Sequence, residues 1–164
     1  VPVDGGFIEL GDSFPEWETC AERMQPPRLA GMRGSRLESA IRATNIDWPE
    51  TGIIGSLSNF EFHEDGTISP WLTFDRHMLI LKELWKHRPS EMFASIDRPV
   101  LFMPADSGDV AWTSNKETAI NSALAKLKSG RAQWFRPAHH DLHAQHPEQC
   151  AMILITNYKN GFFS

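Results

Sequence analysis

Four of the chain's seven histidines fall between positions 139 and 146, in Pro137-Ala138-His139-His140-Asp141-Leu142-His143-Ala144-Gln145-His146-Pro147-Glu148. Imidazole is the side chain whose ordinary proton affinity lies near neutral pH, so such a cluster suits proton transfer or metal binding. A second polar cluster, Ala105-Asp106-Ser107-Gly108-Asp109, lies one predicted helix and one predicted strand earlier. An acid and a histidine on neighbouring loops are the two assisting members of a nucleophile-histidine-acid triad. The imidazole takes the nucleophile's proton, while the carboxylate fixes its tautomer and stabilises the cation that forms. The rival chemistry is zinc, for which His139, His140, Asp141, His143 and His146 are suitable ligand types. No His-Glu-x-x-His string accompanies them, and no partner cluster of Cys, His or Glu stands out elsewhere. No metal and no cofactor is expected.

Both clusters need elements to position them. Arg98-Pro99-Val100-Leu101-Phe102-Met103-Pro104 is a short apolar run bounded by prolines, the profile of a strand buried on both faces. The acidic loop follows it. A helix from Ser114 to Leu127 carries Ile120, Leu124 and Leu127 on one face, a strand lies within Arg131 to Arg136, and a last helix runs from Pro147 to Tyr158. Strand, acidic loop, helix, strand, histidine loop, helix is the alternation of parallel strands with right-handed crossovers, an α/β sheet. Loops at the carboxyl ends of such strands carry function, and strands about 4.8 Å apart bring two of them within reach of each other.

The first half is more irregular. Val1 to Val3 reads as a strand remnant and Asp4-Gly5-Gly6 as a turn. Ser13 is placed to cap a helix that ends near Met24, before Pro26-Pro27, and a second helix runs from Gly34 to about Asn45. Residues 52–70 form an irregular excursion with room for a short hairpin around Glu64-Asp65-Gly66-Thr67. Thr73 then caps the strongest helix, through about His87, with Phe74, Met78, Leu81 and Trp85 on one face. Four of the six tryptophans precede residue 90, which points to a helical cap over an apolar pocket.

At 164 residues the chain has the length of one domain and can bury a sizeable core. A net charge of -5 without a Lys/Arg cluster argues against a nucleic-acid surface. No apolar stretch reaches the ~18 residues needed to span a bilayer, and the N-terminus has no signal-peptide pattern. Cys20 and Cys150 are far apart and read as two buried thiols in a reducing cytoplasm. The chain opens on Val1 without an initiator methionine, in what reads as a strand end, so it is expected to be cut from something longer.

The second half resembles the C-terminal third of an α/β-hydrolase-fold enzyme. The resemblance rests on Pro99-Val-Leu-Phe-Met-Pro-Ala-Asp-Ser-Gly-Asp109, then Trp134-Phe135, then His140-x-x-His143-x-x-x-Pro147-Glu148-x-x-Ala151. It is specific over residues 96–158. Val3-Asp4-Gly5-Gly6-Phe7 resembles, more loosely, the strand that follows the family's nucleophile helix. The resemblance implies a core strand end at 1–9, a mostly helical cap at 10–95 and a C-terminal core at 96–164. It implies His140 as the catalytic base and Asp109 as the orienting acid, with Asp106 second and Asp4 third. His139 stands where the family usually has Gly. His143 matches a packing or pocket-lining position, and Trp71, Trp85 and His143 are the expected substrate contacts.

The family's nucleophile turn, Gly-x-Ser-x-Gly, is absent from these residues. Neither Gly31-Met-Arg-Gly-Ser35 nor Gly55-Ser-Leu-Ser58 has its spacing or its strand-to-helix context. The resemblance therefore implies part of a serine-type esterase acting on a small, partly apolar ester or related acyl substrate, inactive by itself and prone to self-association. Two other readings remain: a non-catalytic small-ligand-binding protein of the same fold, and a metal-dependent hydrolase built on the histidine cluster.

Overall fold

Proline and glycine punctuate the first half of the chain, and its helices are correspondingly short. Leu10–His87 is one of two compact units in the computed structural model, which describes residues 1–164; the other unit joins Val1–Glu9 to Arg88–Ser164. In the first-named unit, α1 (Leu10–Ser13) is a single turn closed by the Phe14 N–H on Leu10 O at 2.8 Å. Ser13 therefore ends that turn, and α2 (Trp17–Met24) starts after Glu16 without a side-chain cap. α3 (Gly34–Thr44) follows the predicted span, with Leu37 buried. α4 (Glu50–Leu57) was not anticipated. Gly52 and Gly55 each disfavour a helix by about 1 kcal/mol relative to alanine, so the stretch reads as irregular, yet Ile53 is buried and Glu50 is gripped by Arg42 at 2.7 Å.

β1 (Phe60–Phe62) and β2 (Ile68–Pro70) form the small antiparallel hairpin, with Glu61 opposite Ser69. Its turn is held by the Asp65 carboxylate, which accepts from the Thr67 N–H and hydroxyl at 2.9 and 2.7 Å. α5 (Phe74–Lys86) is the long helix expected after Thr73. Trp85 on it stacks at a tilt 5.8 Å from Trp17 and donates its indole N–H to Phe14 O at 2.7 Å. Cys20 is buried within this unit.

The second unit is built on β3 (Val100–Phe102) and β4 (Gly130–Ala132), paired in parallel with Leu101 opposite Arg131. Pairing continues at Ala105–Phe135, and on the other side of β3 Val3 bridges Met103, also in parallel. The run through Leu101 is thus the middle of three parallel chains. Its side chains alternate: Leu101, Met103 and Ala105 cluster with Phe135, Ala138, Leu142, Cys150 and Phe162, while Phe102 clusters with Phe7, Phe93, Ile120, Ala123 and Leu127. Both faces are buried, as the proline-bounded run implies.

α6 (Val110–Lys126) covers the Phe102 face, and α7 (Leu142–Gln145) and α8 (Pro147–Lys159) bring Leu142 and Cys150 to the other. Gly130 lies where a β-carbon would stand 2.7 Å from Leu124 and 3.1 Å from Leu127, so glycine lets the end of α6 close onto β4. Residues 88–95, read from the sequence as cap, form the 3₁₀ turns Pro89–Glu91 and Phe93–Ser95 and place Phe93 against Phe102 at 6.0 Å. They belong to the sheet unit. No helix is long and apolar enough to cross a membrane.

Candidate active site

The chain leaves the sheet immediately after Val3, and Asp4 adopts φ +43°, a left-handed conformation that aspartate tolerates better than most residues. Its N–H is still held by Met103 O at 2.9 Å, and its side chain folds back over the end of β3. There Oδ1 accepts the Ala105 N–H at 2.8 Å and the Lys116 ammonium at 2.7 Å. Oδ2 lies 2.8 Å from the same ammonium and 2.9 Å from Nδ1 of His140. Lys116, from α6, also donates to Ala105 O at 2.8 Å, so its ammonium is fully engaged although only 5% of the residue is exposed. Asp4 is 6% exposed.

Burial by itself would raise the Asp4 carboxyl. Hydrogen bonds from His140, Lys116 and the Ala105 N–H, together with the lysine's charge, outweigh it and hold the group below the usual aspartate range. An ionised carboxylate only accepts, so the Nδ1 facing it must carry the proton, and the neutral imidazole presents a bare Nε2. The hydrogen bond to Asp4 raises the His140 affinity for a second proton; partial burial and Lys116 oppose the rise, and Asp141 adds to it. The His140 side chain is 73% exposed, so the ring edge carrying Nε2 is open. A base with fixed tautomer and an accessible nitrogen can take a proton from a hydroxyl brought to that edge.

No family model and no curated protein matches the chain. The solved structure of E-2-(acetamidomethylene)succinate hydrolase does, with a TM-score of 0.60 and 15% identity, over 88% of this chain and 52% of that one. That enzyme is an α/β-hydrolase. The fold here is the α/β-hydrolase fold. The chain spans about half the length of that hydrolase.

Within the α/β-hydrolase fold the acid expected first, Asp109, is otherwise engaged: it caps α6, accepting the Trp112 N–H at 2.9 Å. Asp106, expected second, is tied into its own loop by the Gly108 N–H at 2.9 Å and the Thr113 hydroxyl at 2.8 Å, with Arg136 at 3.5 Å. The Gly108 and Thr113 bonds hold its carboxyl below the usual range. The carboxylate hydrogen-bonded to His140 is Asp4, the one named third from the sequence. Asp106 and Asp109 sit after the strand as well, but their carboxylates are taken up by donors within seven residues of each, around a turn with Gly108 at φ +88°.

Lys116 was not anticipated at all. Its signal was present, since it shares a helical face with Ile120 and Ala123 at spacings of four and seven. A lysine on an apolar stripe needs a buried carboxylate. Of the other expected residues, His143 is exposed on α7, and His146 stacks on Phe135 at 6.0 Å. Trp71 is 61% exposed and forms part of the wall of an apolar recess of about 530 Å³ within the Leu10–His87 unit, with Phe60, Phe74, Pro70 and His77. Trp85 is committed to Trp17 and Phe14. No three His, Cys, Asp or Glu side chains are grouped as ligands for a metal ion.

Proposed function

We propose that this chain supplies the general base and its orienting acid to a serine-type α/β-hydrolase that cleaves a small, partly apolar carboxylic ester or related acyl bond. His140 is the base and Asp4 the acid. The observation that carries the reading is the 2.9 Å contact between Asp4 Oδ2 and His140 Nδ1, made at the ends of two chain segments that leave the sheet. The nucleophile belongs to a Gly-x-Ser-x-Gly turn, a string these 164 residues do not contain. His140 Nε2 takes the serine proton as the oxygen attacks the acyl carbon, and the imidazolium returns that proton to the departing alkoxide. Water then repeats the sequence on the acyl-enzyme.

The test uses the protein extended upstream to its nucleophile turn, assayed on short-chain nitrophenyl esters. His140→Ala is expected to lower kcat by about 10⁶ and Asp4→Asn by about 10⁴, the scales seen when a triad loses its base or its acid. Asp106→Asn and Asp109→Asn are expected to change it by less than about tenfold. Turnover that survives His140→Ala, or that falls with Asp109→Asn and not with Asp4→Asn, overturns the assignment. An upstream coding sequence with no nucleophile turn removes the hydrolase reading altogether.

A further inference from the structure

A lysine buried beside a catalytic acid has no part in the proton transfer itself, yet Lys116 spends all three of its protons there: on Oδ1 of Asp4, on Oδ2 of Asp4, and on the carbonyl of Ala105. The last contact ties the ammonium to the same residue whose N–H also holds Oδ1. Asp4 and the end of β3 are thereby locked to one helix through a single charged group. The orientation that results leaves Oδ2 available to His140.

The charges that bear on the imidazole come from three places. Asp4 approaches from the first strand segment, Asp141 is the next residue along the loop, and Lys116 reaches in from α6. Two are carboxylates and one is a cation. With Nζ 2.8 Å from the oxygen that lies 2.9 Å from Nδ1, the ammonium is less than about 6 Å from the ring, close enough to act on its charge.

We propose that Lys116 is a positioning residue of this site: its ammonium fixes the Asp4 carboxylate so that Oδ2 faces His140, and sets a cation beside a ring otherwise approached by carboxylates. The proposal rests on the reading of His140 and Asp4 as base and acid. Without Lys116 the ring faces two carboxylates and no cation. It then holds its second proton more tightly, and less of it is in the basic form at neutral pH. The direction agrees with the opposing effects on His140, which Asp4 and Asp141 push upward and Lys116 pushes downward.

The experiment is a titration of His140 in the chain with ¹³C-labelled histidine, with His140→Gln used to assign its resonance among the seven histidines. Lys116→Met removes both the charge and the donor, and Lys116→Gln removes the charge while keeping a donor of nearly the same reach. Either neutral variant is expected to raise the His140 midpoint by more than about 0.3 pH units, a twofold tighter proton. A midpoint within about 0.3 units of wild type in a folded neutral variant overturns the proposal. In the nucleophile-bearing protein, the rising limb of kcat/KM is expected to move by the same amount, and the plateau to fall as the carboxylate loses its fixed orientation. A purely structural lysine would lower the plateau and leave the limb in place. Because the titration does not depend on turnover, a shifted midpoint with an active His140→Ala enzyme would refute His140 as the catalytic base and leave the Lys116–His140 coupling standing.

Discussion

Replacing Asp4 with asparagine removes one charge and leaves the shape of the site intact, so its cost can be worked out from the contacts. Asp4 and Lys116 are 6% and 5% exposed, and the ammonium lies 2.7 and 2.8 Å from the two carboxylate oxygens. At an effective dielectric of about 20 the Coulomb attraction at that range is about 6 kcal/mol, and the desolvation of two buried ions cancels most of it. The pair as a whole is close to neutral for stability, but either member left alone is not. In Asp4→Asn the amide oxygen can still accept the Ala105 N–H, and nothing replaces the counter-ion. The ammonium is then left buried without a partner. The expected loss is therefore about 3–5 kcal/mol.

Lys116→Met is expected to be milder, because His140 can take up a proton and become the counter-ion of Asp4. For an ordinary imidazole at pH 7 that uptake costs only about 0.7 kcal/mol. The loss should then be about 1–3 kcal/mol and should depend on pH. In this variant the folded imidazole binds its proton more tightly than the unfolded one. The compensation is present below the ordinary histidine value of about 6.5 and disappears as pH rises through the raised folded value. The double variant Asp4→Asn/Lys116→Met should cost no more than Asp4→Asn alone. Urea unfolding of the four proteins at pH 7, followed by circular dichroism, measures the cycle. Independent sites add to within about 0.5 kcal/mol; losses that add to that precision would refute the buried-pair argument.

Three further outcomes follow from the contacts. Asp109→Ala should lose the α6 cap and about 1 kcal/mol of stability, with no change in the His140 titration. In acid, the lowered Asp4 carboxyl contributes stability that is present above the ordinary aspartate value of about 3.9 and is lost as pH falls through its folded value. Asp4→Asn should accordingly flatten the acid limb of a stability profile between about pH 5 and 2, and an unchanged limb would contradict the assignment. Leu79, Ile80 and Leu84 are exposed on α5, and Met152, Ile155 and Tyr158 on α8. Apolar faces of that extent favour association, so sedimentation should show concentration-dependent self-association, and a monodisperse monomer would count against it.

What could be read from the sequence divides along the range of the interactions. The strand through Leu101, the helices of Gly34–Thr44 and Phe74–Lys86, and the placing of His140 on a loop after a strand all rest on local pattern, and the chain carries those patterns plainly. α4 was hidden because Gly52 and Gly55 argue locally against the helix that burial of Ile53 favours. The carboxylate that meets His140 was harder. Asp4 and His140 are 136 positions apart, and nothing short-range distinguishes Asp4 from Asp106 or Asp109. Asp109 caps a helix that begins at Val110, four residues before the Ser114 start read from the sequence, so its engagement as a cap was not legible either. The apolar stripe holding Lys116 could have pointed to a buried carboxylate. Which carboxylate it meets is a tertiary fact, set when Val3 pairs with Met103.

The two cysteines give the chain a pair of built-in reporters. Cys20 is wholly buried in the Leu10–His87 unit, while Cys150 is buried in the sheet unit, its thiol 3.7 Å from Leu142 O. Burial raises both thiols above their ordinary values, so neither reacts readily while its surroundings stay closed. A thiol-reactive dye must wait for each to open. Its two labelling rates, assigned by Cys20→Ser and Cys150→Ser, therefore time the breathing of the two units separately in one sample, with no engineered probe.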